Sequence, residues 1–361
     1  AALEALRKAT AGEGVTADDW VELALCYRDA DQRERGLDAA RRALRLDEGD
    51  ARAWRAVGEL EVESEVALEH LEKALELAPD DPETMLALGE RRSGEGEHME
   101  AIYLLQKATE HGLSSPRLSM ALVEAYEGAG QHEDAFREVS TLVKETPSAD
   151  GYYRMGTVLA RLERFDESAA ALQRALRLDP SHAVAQYQLG AALMRLARPE
   201  EAIAAWEGAC KNAPDDPSLK AALGFGYLKL GKNKEAGAAC ADAVALGLRD
   251  VDTLMSFGKL FERLDRREDA VAAYQRIGEV DPDHAPAMAR LGENLMELRR
   301  FAEAVEPYQQ AMLSAPDDPM LRYGLGICYA NLGQDAAAAK QLDVLKKLDP
   351  DLAEELQWVI E

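Results

Sequence analysis

Apolar residues along this chain fall at helical spacing in short amphipathic blocks, separated by polar turns, and the blocks recur in register. An apolar residue followed by glycine marks each recurrence: Val57-Gly58, Leu88-Gly89, Met155-Gly156, Leu189-Gly190, Leu223-Gly224, Phe257-Gly258, Leu291-Gly292 and Leu325-Gly326. From Gly156 to Gly326 the interval is an unbroken 34 residues. Twelve residues after the glycine comes a small residue (Ala101, Ser168, Ala202, Ala236, Ala270, Ala304, Ala338), and seven further on a small or apolar one (Ala108, Ala175, Ala209, Ala243, Ile277, Ala311, Leu345). Proline closes most periods, at Pro79, Pro147, Pro180, Pro214, Pro282, Pro316 and Pro350. The pattern predicts two antiparallel helices per period and no strands.

Each marker has a physical task. Glycine or alanine at a helix crossing lets two backbones approach, and bulky residues at helical spacing (Tyr152, Met155, Leu159, then Leu172) fill the space beside it. A closing proline cannot extend its helix and biases the residue before it to extended backbone. Asp or Ser after it is expected to cap the next helix, as in Asp179-Pro180-Ser181 and Pro214-Asp215-Asp216-Pro217. One such hairpin cannot bury its own apolar face, so stability must come from its neighbours.

These residues resemble the tetratricopeptide repeat family, whose pattern runs through an aromatic or Leu, Leu-Gly, Tyr, Ala, an aromatic, Ala and Pro. Trp20, Tyr27 and Ala43 carry it in the first full period; Tyr126, Ala135 and Pro147 in the fourth; Leu189, Gly190, Ala202, Trp206, Ala209 and Pro214 in the sixth. The resemblance implies an all-α fold, a right-handed superhelical solenoid of about ten helix–turn–helix repeats. The expected units are 17–50, 51–81, 82–115, 116–148, 149–182, 183–216, 217–250, 251–284, 285–318 and 319–352. Residues 1–16 read as the second helix of a truncated repeat, with Ala2, Leu6 and Ala9 in register, and 353–361 as a C-terminal capping helix. The mid-repeat start and the absence of an initiating Met suggest a piece of a longer protein.

Three departures stand out. Unit 51–81 is three residues short around Glu61-Val62-Glu63-Ser64-Glu65, so its turn must differ. Units 82–115 and 217–250 replace proline with a Gly-Leu exit, at Gly112-Leu113 and Gly247-Leu248, which reads as a glycine cap. Pro307 falls inside a second helix, where it removes a hydrogen bond or introduces a kink.

Composition narrows the function. The chain of 361 residues carries 42 basic and 67 acidic side chains, net −25, which disfavours phosphate backbones and anionic membranes. No apolar run is long enough to span a bilayer and no signal peptide opens the sequence, so a cytoplasmic location is expected. Ala, Arg and Asp usage hints at a bacterial source with a GC-rich genome. Cys26, Cys210, Cys240 and Cys328 are widely spaced and read as small packed thiols. His70, His98, His111, His132, His182 and His284 lie mostly near turns without ligand spacing, and read as solvated loop residues. Neither a catalytic constellation nor a cofactor or metal motif emerges, so the chain is not expected to be an enzyme.

If the resemblance holds, function lies on the concave surface lined by each repeat's first helix. In the first four units that lining is largely polar and acidic: Asp18, Arg52, Arg55, Glu59, Glu90, Glu124 and Glu127. In the middle units it becomes apolar and partly aromatic, with Tyr153, Tyr187, Met194, Phe225, Leu228 and Met255, beside a 34-residue ladder of cations, Arg161, Arg195, Lys229 and Arg263. Residues 17–148 carry net −16, and residues 149–250 carry 13 charges of each sign. Such a lining suits a peptide with apolar anchors and carboxylates. The expected role is a scaffold or adaptor for a partner protein or peptide. The resemblance admits another repeat protein or a small GTP-binding protein as that partner. A substrate-recruiting segment of a larger enzyme and a self-assembling scaffold are the alternatives. The positions that would hold a chaperone carboxylate (Val21, Leu25, Ala56, Glu83, Ala87) or form an asparagine ladder (Ala121, Arg154, Gln188, Ala222, Ser256, Arg290) lack the required residues.

Overall fold

The computed structural model describes Glu4, Leu6, Arg7, Thr10 and residues 15–361. The truncated-repeat helix expected at 1–16 therefore lies outside the described residues, apart from those few positions. Two compact units divide the chain, Ala1–Pro180 and Ser181–Glu361.

In the first unit the described helices are α1 (Ala17–Asp29), α2 (Arg33–Leu46), α3 (Ala51–Leu60), α4 (Ser64–Leu77), α5 (Pro82–Gly94), α6 (His98–Glu110), α7 (Pro116–Gly128), α8 (His132–Glu145), α9 (Ala149–Arg161) and α10 (Phe165–Leu178). In the second they are α11 (Ala183–Arg195), α12 (Pro199–Asn212), α13 (Pro217–Lys229), α14 (Asn233–Ala245), α15 (Val251–Arg263), α16 (Arg267–Val280), α17 (Ala285–Glu297), α18 (Phe301–Ser314), α19 (Pro319–Asn331), α20 (Asp335–Leu348) and α21 (Pro350–Ile360). Among the described residues there is no strand. The fold is an all-α helical repeat in which each odd-numbered helix up to α19 pairs with the even-numbered helix after it.

What brings each pair together is a close crossing. A Cβ at Gly190 would stand 2.3 Å from Trp206 Nε1, and one at Gly258 would stand 2.4 Å from Tyr274 Cζ. The partner lies sixteen residues on in both cases. Two units lack the glycine, and there smaller residues share one cluster instead: Ala24 with Ala40, and Val123 with Val139. In the shortened unit Gly58 meets Leu71, thirteen residues on, so the deletion of three residues leaves the crossing intact. The deletion falls in α3, which has ten residues, and in its turn. Leu60 O there accepts from Arg33 Nε of the preceding repeat, and Glu61 O accepts from Arg91 Nη2 of the following one at 2.7 Å.

The other turns share one device. The residue two places after the first helix adopts a left-handed backbone, glycine in some repeats (Gly96, Gly130, Gly231, Gly333) and Asp31, Glu163, Ala197, Asp265 or Arg299 in the rest. Backbone bonds then close the helix, as in Glu163 N to Ala160 O at 3.1 Å and Arg164 N to Leu159 O at 2.9 Å. Gly112 and Gly247, both at φ +88, end α6 and α14 as expected.

First helices start on side-chain caps. Asp81, Ser115, Asp216 and Asp318 cap helices with proline in the first turn. Ahead of α11 and α17 the caps are His182 and His284, whose Nδ1 atoms accept from Ala185 N at 3.2 Å and Ala287 N at 3.1 Å. Ser181 is not the cap, and these two histidines are not simply solvated: a neutral imidazole nitrogen serves the orphan N–H as a carboxylate would. His70 also departs from the loop reading, since it stacks on Trp54 at 5.4 Å. Pro307 is buried within an uninterrupted α18. The closing helix α21 begins at Pro350, three residues ahead of the expected 353, because Asp349 caps it and Pro350 occupies its first turn.

Two glycine substitutions should act in opposite directions. Gly190→Leu overfills the Trp206 crossing and is expected to cost about 1–3 kcal/mol, with hydrogen-exchange protection lost first around 183–216. Gly94 has nothing within 4 Å of its would-be Cβ, so Gly94→Ala should raise stability by about 0.5–1 kcal/mol. Thermal unfolding of both variants checks the pair, and equal effects would refute the crossing argument.

Candidate protein-interaction face

First helices present one outward row, at positions spaced by four, three and four residues, and the row differs between the two units. In the first unit the expected acidic lining is paired away. Arg52 holds Asp18 at 3.3 Å and also Glu22. Arg117 on α7 grips both oxygens of Glu90 on α5, at 2.6 and 2.8 Å, and reaches Glu59 on α3 at 3.2 Å. Glu59 also takes Arg28, and its side chain is only 5% exposed. Arg154 binds Glu124 at 2.5 Å and lies 3.7 Å from Glu127. Arg52, Arg117 and Arg154 thus reach back to carboxylates of the first helix before their own while Arg28 reaches forward to Glu59, so this face is zwitterionic and sewn together. Tyr153 and Arg161 both lie on α9 of this unit, the tyrosine half-buried and the arginine exposed. Burial holds the Glu127 carboxyl above the usual carboxylate range, against the opposing pull of Arg154, His132 and Arg161.

The second unit carries the remaining candidates. Tyr187, Met194 and Arg195 lie on α11, Phe225, Leu228 and Lys229 on α13, and Met255 and Arg263 on α15. Tyr187 is half-buried, and its carbonyl accepts the Trp206 indole N–H at 3.0 Å. Met194 is half-buried, while Leu228 and Met255 pack sideways onto the core that runs through α15. Phe225 is different. Its ring is tilted against Phe257 with centroids 5.3 Å apart, yet the residue remains 39% exposed.

Cations stand at the neighbouring positions of the repeat. Lys229 stands one turn along α13, and Lys259 and Arg263 occupy the two matching positions on α15; all three are exposed. Among the described residues none of the three forms an ion pair. Glu262, the carboxylate adjacent to Arg263 in sequence, is engaged elsewhere: it accepts from Asn294 Nδ2 at 2.7 Å and Tyr274 Oη at 3.1 Å. Burial and that carboxylate together push the Tyr274 phenol upward. On α17 the row changes sign, with Arg290 held by Glu293 at 3.0 Å and Glu297 exposed beyond it. Lys259 was not anticipated from sequence, although it lies one period of 34 after Phe225.

The arrangement offers no catalytic chemistry of its own. Burial raises the Cys240 and Cys328 thiols to about 12, which leaves them protonated and poorly nucleophilic. Among the described residues no group of three His, Cys, Asp or Glu side chains could hold a metal, and no helix is long and apolar enough to cross a membrane. The face can bind through one aromatic surface and three fixed charges.

Residues 153–217, 255–319 and 289–353 match the tetratricopeptide repeat family, so the chain carries tetratricopeptide repeats there. Proteins with such repeats generally mediate protein–protein interaction and are typically non-enzymatic. Over 78 residues the chain is 37% identical to the Protein CTR9 homolog of Arabidopsis thaliana, a match of 21% of this chain and 7% of that protein's length. Among solved structures it is similar to MamA (24% identity over 44% of this chain and 94% of MamA, TM-score 0.42). It is also similar to pilF of Pseudomonas aeruginosa (18% identity over 61% and 98%, TM-score 0.48).

The Glu127 environment yields a pH prediction. Its folded pKa is raised, so stability is lost as pH rises through that value. Glu127→Gln should therefore unfold no earlier than the parent at neutral pH, and any gain should vanish once acid protonates the native carboxyl. A variant less stable than the parent at neutral pH would show that the Arg154 contact outweighs burial.

Proposed function

We propose that this protein is a scaffold or adaptor whose second unit captures an acidic peptide segment with an apolar anchor on the first-helix row of α13 and α15. The observation that supports this reading most is the exposed Phe225 ring among Lys229, Lys259 and Arg263, cations without carboxylate partners on a chain of net charge −25. Where this fold has carboxylates to spare, as on the first unit's row, arginines consume them. Here the cations stand unused. Arg195 and Tyr187 on α11 extend the row, and Met194, Leu228 and Met255 serve as its walls. In the first unit Tyr153 and Arg161 occupy equivalent places, but Glu127 offsets Arg161 there, so they contribute less.

Peptides selected from a random library on the immobilised chain provide the probe, and they should be enriched in Asp, Glu and large apolar residues. Phe225→Ala should weaken their binding by about 2 kcal/mol, or ~30-fold. Lys229→Ala should weaken it only a few-fold, and less at high salt, because an exposed charge is screened. Glu200→Ala, on the exposed start of α12, should change nothing. Glu207 is a poorer control because it accepts the Tyr227 hydroxyl at 2.9 Å. Unchanged affinity in both the Phe225 and Lys229 variants would remove the site from this face.

A further inference from the structure

The chain itself carries the chemistry that this row would select. Helix α21 contains no Lys or Arg, and its exposed stripe reads Asp351, Glu354, Glu355, Trp358 and Glu361. Trp358 is 76% exposed, an indole set among carboxylates, while Ala353 and Leu356 anchor the opposite side of the helix in the core. Glu354, Gln357, Trp358 and Glu361 line an open hollow. Leaving an indole in water forfeits a large apolar burial, and a Trp flanked by one sign of charge has the chemistry of an interface anchor.

We infer that α21 of one copy docks on the α13–α15 row of a second copy, with Trp358 against Phe225 and the flanking carboxylates on Lys229, Lys259 and Arg263. The spacing fits. Glu354 stands one helical turn to one side of Trp358, as Lys229 stands one turn, about 6 Å, to one side of Phe225, with Arg263 and Lys259 one period of 34 after Lys229 and Phe225. A helix laid along the seam between α13 and α15 can therefore bring its ring and its charges into register together. Pairing two unlike patches leaves a free α21 at one end and a free row at the other, so association is head-to-tail and grows with concentration. This inference rests on the row being a binding face, as proposed above, and names its occupant.

Sedimentation velocity on the 361-residue chain, over a concentration series at low and high salt, tests it. The expected result is a mass that rises with concentration and falls back toward monomer as salt screens the charges. Trp358→Ala, and separately the double variant Lys229→Glu with Lys259→Glu, should each stay monomeric under conditions where the parent associates. Mixing the two variants should restore a one-to-one dimer, because the first retains its row and the second retains its α21. Lys229→Gln with Lys259→Gln repeats the test should charge reversal unfold the chain; it should weaken association about tenfold. A parent chain that stays monomeric at low salt while the selected peptides still bind the row overturns self-docking and spares the binding face. Association that survives the lysine variants, or a mixture that stays monomeric, overturns the pairing of these two surfaces.

Discussion

Everything in this structure depends on two helices of a repeat crossing at nearly backbone contact. The crossing is a volume constraint on a pair, not a requirement for glycine at one position. Tyr274 and Tyr308, each buried to 2% exposure or less, lie over Gly258 and Gly292, whereas Ala24 and Ala40 share one cluster in the first repeat. Packing at interior density leaves no room for both members to be large and no tolerance for both to be absent. The shortened repeat shows which quantity is fixed. Three residues vanish from α3 and its turn, yet Gly58 and Leu71 still meet, and neighbouring arginines take over the carbonyls that the missing residues would have served.

Close crossings, with Gly326 of α19 meeting Leu356 of α21 instead of a partner in its own repeat, hold the first helices within each unit in a common register, and that register turns a 34-residue period into a surface. Residues far apart in sequence become neighbours: Arg117 meets a carboxylate 58 residues away. The first unit uses this to neutralise itself. Bridging arginines on partly exposed positions gain only modest Coulomb energy each, but Glu59, almost wholly enclosed, would be costly without Arg28 and Arg117. The second unit uses the same register differently, placing cations where the previous helix offers Phe225 or another cation and turning Glu262 inward.

Much of this was legible in the sequence, and the failures share a cause. The helix pairs, the Gly112 and Gly247 caps and the anomaly at 61–65 are local signals, carried by residues a few positions apart. The paired acidic face was not legible, because summing charge over residues 17–148 says nothing about which arginine reaches which carboxylate. That Leu228 and Met255 also pack sideways onto the core was not legible either, because a helical offset cannot separate an outward position from one tucked against the next helix. His182 and His284 were missed as caps because histidine is seldom used there, although the slot each fills is the one aspartate fills at Asp216 and Asp250. Lys259 needed only the period applied once more from Phe225.

The same local logic explains why a chain so acidic can keep a cationic face. At physiological ionic strength fields from distant carboxylates decay within about 8 Å, so the net charge of −25 does little to a side chain with no close partner. What determines the character of Lys229, Lys259 and Arg263 is the occupant of the adjacent repeat positions. Those are Phe225 one period before Lys259, cations on either side of Lys229, and on α17 Glu293, held by Arg290, and the exposed Glu297. Long-range repulsion between two such acidic chains is screened by the same factor. An encounter that seats carboxylates on this row replaces solvent-exposed charges with close contacts beside an apolar ring, where water is excluded and each contact counts for more. The repeat therefore builds, from close helix crossings, both a polar face whose charges are paired and a face whose cations Lys229, Lys259 and Arg263 have no carboxylate partner.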